Sequence, residues 1–156
     1  RQLLKNPKDI VKNVSALQDE NKALKKEIDR LRAEQANALK GQLKDKVESI
    51  DGVHFLSERL PIDDSNAIKT LAYQLEEEIG NAFIVFGAEI KGKPQLLIVI
   101  SRELTESHGL HAGNIIRDLA KEIKGGGGGQ PFFASAGGKD ADGLDRALAK
   151  ARMVLG

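Results

Sequence analysis

From about Ile10 to Leu43 the apolar residues return at alternating steps of three and four. Val14, Leu17, Asn21, Leu24, Ile28, Leu31, Gln35 and Ala38 fill the a and d places of a heptad, with Asn21 and Gln35 as polar a residues. The pattern predicts one long, coiled-coil-like helix, about 50 Å at ~1.5 Å per residue. Pro7 marks its start and Gly41 predicts a break near its end. Two readings of the stripe stand. Val14, Leu17, Asn21, Leu24, Ile28 and Leu31 form a seam that pairs two copies, or the stripe lies on a neighbouring domain of a longer protein.

The period changes after residue 48. Val53 to Arg59 reads as a short strand. Pro61 to Ser65 is a turn that offers Asp64 or Ser65 as a helix cap. Ile68, Leu71, Ala72, Leu75 and Ile79 then share one helical face, and Gly80 is the stop. Ala82 to Ile90 and Gln95 to Ile100 are near-continuous apolar runs around the Lys91-Gly92-Lys93-Pro94 turn, a hairpin buried by helices. Ser101 to Gly109 reads as a loop. Ile115, Ile116, Leu119 and Ile123 mark a helix, Phe132 to Ala136 a strand, and Leu144, Leu148, Ala151 and Leu155 a final helix with Asp140 or Asp142 near its cap. The fold class expected is α+β. Residues 1–48 are the helical segment, and residues 49–156 are a β-α-β-β-α-β-α domain whose sheet is covered by helices.

Charge is divided unevenly. Residues 1–50 carry 12 Lys and Arg against 8 Asp and Glu, and the remaining residues 12 against 15, so a net of +4 sits on the helical segment and −3 on the rest. A basic rod can hold a polyanion along one face, and equally such a helix is simply solvated. The chain has no Cys, which excludes disulfide and thiol chemistry. Its apolar runs, Leu96 to Ile100 among the longest, are far too short to span a membrane, so no membrane partner is expected. It opens on Arg1 inside a helical pattern, as a piece of a longer protein would.

The densest chemical signal is the run Gly125-Gly126-Gly127-Gly128-Gly129, followed by Gln130, Pro131, two phenylalanines and Gly137-Gly138. Five glycines are costly to order. The run is either a backbone cradle for phosphate or a flexible connection. Lys121, Lys124, Arg117 and Lys139 flank it. Phe132 or Phe133 offers a stacking face, or else both fill the core. His108 and His111, Ser107-His108 and the run Glu76-Glu77-Glu78 read as ordinary loop and surface groups rather than a metal or catalytic centre. No P-loop is present.

The hairpin Lys91 to Ile100, the segment His111 to Ala120, the run Gly125 to Pro131 through Gly138 and the closing Leu144-Asp145-Arg146-Ala147-Leu148 together resemble the C-terminal domain of bacterial alanyl-tRNA synthetases. That domain is a DHH-associated domain shared with the DHH phosphoesterases. Upstream, Leu3 to Ile10 and Glu20 to Leu24 resemble the helix that leaves the synthetase's editing domain. The resemblance implies a non-catalytic module that grips the elbow of tRNA-Ala and helps link aminoacylation and editing on one tRNA. The rest of the synthetase and a second copy are its other expected partners, and the cytoplasm its setting. ATP, Mg and Zn are expected only in parts of the parent outside this chain. A domain-packing or dimerisation module with little RNA contact is one alternative. The substrate clamp of a DHH-type phosphoesterase is another. Gln130 stands where those phosphoesterases carry a substrate-contacting His, and Phe132-Phe133 where many synthetases carry an Asp-Met-like pair. The nucleic-acid-binding set expected is Gly125, Gly126, Gly127, Gly128, Gly129, Gln130, Lys124, Lys121, Arg117, Lys139, Gly137, Gly138 and Phe132, with basic residues of the long helix such as Lys22, Lys25, Lys26, Arg30 and Arg32 extending it.

Overall fold

A computed structural model describes residues 7–155, with side chains from residue 13 onward. The stretch Leu3 to Asn6, part of the upstream resemblance, lies outside the described residues. The chain divides into two units, Arg1–Leu39 and Lys40–Gly156.

The first unit is most of helix α1 (Pro7–Asp45). Its heptad stripe is open: Val14, Leu17, Leu24, Ile28 and Leu31 are each roughly half exposed, Leu17 the most at 60%. Arg30 is tied to Glu27 and Glu34 along the same helix, and these neighbours raise its pKa. The expected break at Gly41 does not occur, because α1 runs on to Asp45. A glycine in a helix interior costs about 1 kcal/mol relative to Ala. Packing offsets this in the second unit: Leu43 is buried, and Lys40 and Lys44 both reach Glu78, at 3.3 and 3.2 Å. Those two ammonium groups hold the Glu78 carboxyl below its usual range.

The second unit is built on a six-stranded mixed sheet of order β1-β2-β3-β4-β6-β5. After β1 (Glu48–Ile50), β2 (Val53–Arg59) leads through helix α2 (Ser65–Ile79) into β3 (Ala82–Ile90), which lies parallel to β2. The other neighbours are antiparallel. β4 (Lys93–Ile100) closes the hairpin, α3 (Arg102–Ser107) and α4 (Ala112–Ala120) follow, and β5 (Gly126–Gly129) and β6 (Phe133–Gly137) form the other edge before α5 (Leu144–Met153). The α+β class is as expected. Asp64 caps α2, accepting from the Asn66 N–H at 2.9 Å, and Gly80 ends it with φ 71°.

Three elements depart from the sequence reading. β1 and β2 form a hairpin around Asp51-Gly52, whose positive φ values of 50° and 79° match a two-residue turn. The Asp-Gly pair was a legible signal for it. Ser101 to Gly109 is not a plain loop. Buried Leu104 anchors the short helix α3, and the buried Ser101 hydroxyl donates to Glu76 and accepts from the Ala82 N–H. The glycine run is a strand, not a loop.

One face of the sheet is fully covered. Phe83, Ile98, Ala134 and their neighbours pack there against Ile116, Leu119, Leu144 and Ala147 of α4 and α5. On the opposite face α2 buries Ile68, Leu71, Ala72 and Leu75. Over β4 and β6 this second face is only partly covered: Gln95 and Phe133 are half-buried and Ser135 is exposed.

Candidate nucleic-acid interface

Strand β5 consists of four glycines paired in register with β6, Gly126 opposite Gly137 and Gly129 opposite Ala134. None of the glycines in the run has a positive φ. Three of them, Gly125, Gly127 and Gly129, are required by space instead. A Cβ on Gly125 would lie 2.0 Å from the Gly137 carbonyl oxygen. One on Gly127 would lie 2.3 Å from the Ser135 oxygen, and one on Gly129 2.3 Å from the Phe133 oxygen. Gly126 and Gly137 face open space, and a Cβ on Gly128 would just touch the Arg117 guanidinium at 3.8 Å. Glycine thus serves two purposes in one strand. Alternate residues let the edge curl tightly onto β6, and the others leave bare backbone on the surface.

The ladder sets the polarity of that edge. The Gln130 N–H donates to the Phe133 carbonyl at 2.7 Å, closing a turn with Pro131 in its second place. Alternation then bonds Gly128 and Gly126 to β6 and turns the peptide groups of Gly127 outward. The N-terminus of α4 is already occupied. Its Ala112 and Gly113 N–H groups donate to Pro131 and Gln130 carbonyls, and His111 Nδ1 accepts from Asn114. No anion site remains there.

The expected site residues fall into two groups. Lys124, Gly125, Gly126, Gly137, Gly138 and Lys139 converge at one end of the β5–β6 pair. Lys124 takes the left-handed conformation there (φ 51°, ψ 49°), the Gly125 N–H donates to Ala120 and the Lys139 N–H to Ile123. A Cβ on Gly138 would lie 2.2 Å from the Ile123 oxygen. Gln130 and Phe132 lie at the opposite end, about 13 Å away at ~3.3 Å per residue. Arg117 sits between them beside Gly128. Phe132 is half-buried, with the Arg102 guanidinium 4.8 Å from its ring centre. Lys121 pairs with Asp118 at 3.4 Å, both well exposed, which is worth little.

Two basic residues missed from sequence join the first group. Lys91 and Lys93 flank Gly92 in the β3–β4 turn. Register places that turn beside Gly138, whose N–H donates to the Pro94 carbonyl, and Gln95 pairs with Gly137. Among the described residues, Lys91, Lys93, Lys124 and Lys139 have no carboxylate within 4.0 Å. Four lysines without a carboxylate partner are therefore brought by sequence and register to the Gly137-Gly138 end of the sheet. The sequence signal was the Lys-Gly-Lys turn itself, which read only as a turn.

The other candidate groups are structural. Ser107 Oγ meets His108 Nδ1 at 2.7 Å, but His108 Nε2 faces the Asp51 backbone carbonyl, and His111 caps α4. Among the described residues no three His, Cys, Asp or Glu side chains converge as a metal would require, and no helix is long and apolar enough to cross a membrane.

Residues 52–156, which include every strand but β1 and the whole glycine edge, match the family model of the DHHA1 domain. The chain belongs to the DHHA1 family. It is 53% identical over 152 residues to an alanine–tRNA ligase of Christiangramia forsetii, covering 97% of this chain and 17% of the relative. It is 40% identical over 154 residues to the alanine–tRNA ligase of Cytophaga hutchinsonii, covering 99% of this chain and 18% of the relative. The chain thus spans about a sixth of the length of the curated relatives it matches. The fold of this DHHA1 chain also matches the C-Ala domain of Aquifex aeolicus alanyl-tRNA synthetase, with a TM-score of 0.62 and 23% identity over 70% of this chain and 96% of that one.

Proposed function

We propose that this DHHA1 domain is the non-catalytic C-terminal module of an alanyl-tRNA synthetase. It holds the elbow of tRNA-Ala while aminoacylation and editing proceed in other parts of the parent, where ATP, Mg and Zn belong. The observation that carries this reading is the group of four unpaired lysines around the bare backbone of the β5–β6 end. Phosphates are attracted by such charge, and the Gly127 peptide N–H, turned out of the ladder, adds a donor beside it. Folded RNA is read largely by shape and backbone. The near-complete coverage of this chain by relatives named alanine–tRNA ligases supports the choice of tRNA.

The test is a salt titration of tRNA-Ala binding by the whole chain. Log affinity is expected to fall linearly with log salt, by roughly 0.7–0.9 for each phosphate contact. Folded tRNA is expected to outcompete a single strand of equal length. Preference for the single strand would favour the phosphoesterase-type clamp instead, and absence of binding at every ionic strength would overturn the reading.

The open stripe on α1 supports an added role in self-association. Half-exposed leucines at heptad spacing are stabilised by a partner helix. Sedimentation at several concentrations is expected to show dimers, and Leu24→Glu to leave monomers. A wild-type chain that stays monomeric at all concentrations would leave the stripe to a neighbouring domain.

A further inference from the structure

We propose that the open half of the second sheet face holds a subsite for one unstacked nucleobase of the bound RNA, seated against Phe133 with a phosphate at Lys69. The inference rests on the tRNA-binding reading above and extends it to a surface that reading does not use.

Phe133 stacks on Tyr73, with ring centres 5.7 Å apart and planes 17° from parallel, and Lys69 Nζ lies 4.8 Å from the Phe133 ring centre. Lys69 and Tyr73 are one helical turn apart on α2, so both reach the same strand. Beside this pair is a groove of about 270 Å³, with Leu97 and Phe86 in its floor and Lys69, Asn66, Gln95 and Ser135 at its rim. That volume suits one planar heterocycle rather than a larger ligand.

The lining matches a nucleotide part by part. Lys69 lies over the Phe133 ring in the free chain, so a base enters by displacing its ammonium towards the phosphate, and Phe133 and the apolar floor then take the faces of the base. The side-chain amides of Asn66 and Gln95 each offer donors and an acceptor to its edge. Lys69, with no carboxylate within 4.0 Å among the described residues, takes the phosphate. No acidic residue lines the groove. The adjoining groove beside Tyr73 and Phe132 carries Glu76 and Glu103 against the single cation Arg102, a lining of net negative charge that suits a phosphate less well. The subsite is also continuous with the glycine edge, because Ser135 pairs with Gly128 and Gln95 with Gly137. A strand whose backbone rests on the lysines at the β5–β6 end can therefore turn a base onto this face.

Tyr73 is the only tyrosine of the chain, and there is no tryptophan. The whole chain made with 3-fluorotyrosine therefore gives a single fluorine resonance at the site. Titration with a tRNA-Ala transcript is expected to shift that resonance through the ring current of the added base. Lys69→Gln, an exposed change, and Phe133→Leu, an apolar one, are each expected to weaken binding about tenfold, the scale of one stacked base. If tRNA binds but the resonance stays still and Lys69→Gln keeps full affinity, the subsite is wrong and the tRNA-binding reading survives. If tRNA does not bind at all, both fail. A shift that grows with protein concentration in the absence of RNA would give the groove to a second copy and overturn the proposal.

Discussion

Gly127→Ala is expected to destabilise the domain by about 1–3 kcal/mol, the scale of forced overpacking, while Gly126→Ala is expected to stabilise it by about 0.4–1 kcal/mol. The two residues are neighbours in the same run. A Cβ at position 127 would stand 2.3 Å from the Ser135 carbonyl oxygen and 2.4 Å from the Ala136 Cβ, so backbone on both strands must move. At position 126 nothing lies within 4 Å, and φ is not positive, so alanine fits and only restricts the unfolded chain. Denaturant unfolding of the two variants measures both effects. A flexible connection would treat the two substitutions alike, so equal effects would sink the paired edge strand.

The second large effect concerns RNA. Lys124→Glu combined with Lys139→Glu is expected to lower affinity for tRNA-Ala by at least about tenfold at 0.1 M salt and to reduce the slope of log affinity against log salt by about 2, one unit per lost phosphate contact. Both side chains are exposed and neither has a carboxylate within 4.0 Å. Stability should therefore change by less than about 0.5 kcal/mol. Charge matters here more than shape, because a reversed charge repels the polyanion it was placed to attract. Unchanged binding in a gel-retardation series, with the melting curve intact, would remove the lysine end of the sheet from the interface.

The long helix was legible from its heptad period, the hairpin from two near-continuous apolar runs around a turn, and α2, α4 and α5 because each buries one face and burial writes its period into the chain. The turn at Lys91-Gly92 and the caps at Asp64 and Gly80 were legible because their backbone geometry admits few residue types. β1 was missed because three residues are too few for a period, although Asp51-Gly52 marked its turn. The helix α3 was missed because Leu104 is its only buried residue. Of the candidate interface, Lys124, Arg117 and Lys139 were found through their proximity in sequence to the glycines. Lys91 and Lys93 were not, because they reach the same place only through the pairing of β4 with β6.

The sequence by itself determined where apolar faces lie, where the chain turns and where charge collects, since these depend on residues a few positions apart. Only the tertiary structure decided what the five glycines are. The reason for Gly125, Gly127 and Gly129 lies in Gly137, Ser135 and Phe133, carbonyls on another strand that come within 2.3 Å of where a side chain would begin, while Gly126 and Gly128 leave bare backbone. Only it decided, too, that Tyr73 and Lys69 meet Phe133, sixty residues away in the chain, because sheet order rather than sequence sets which surfaces become neighbours.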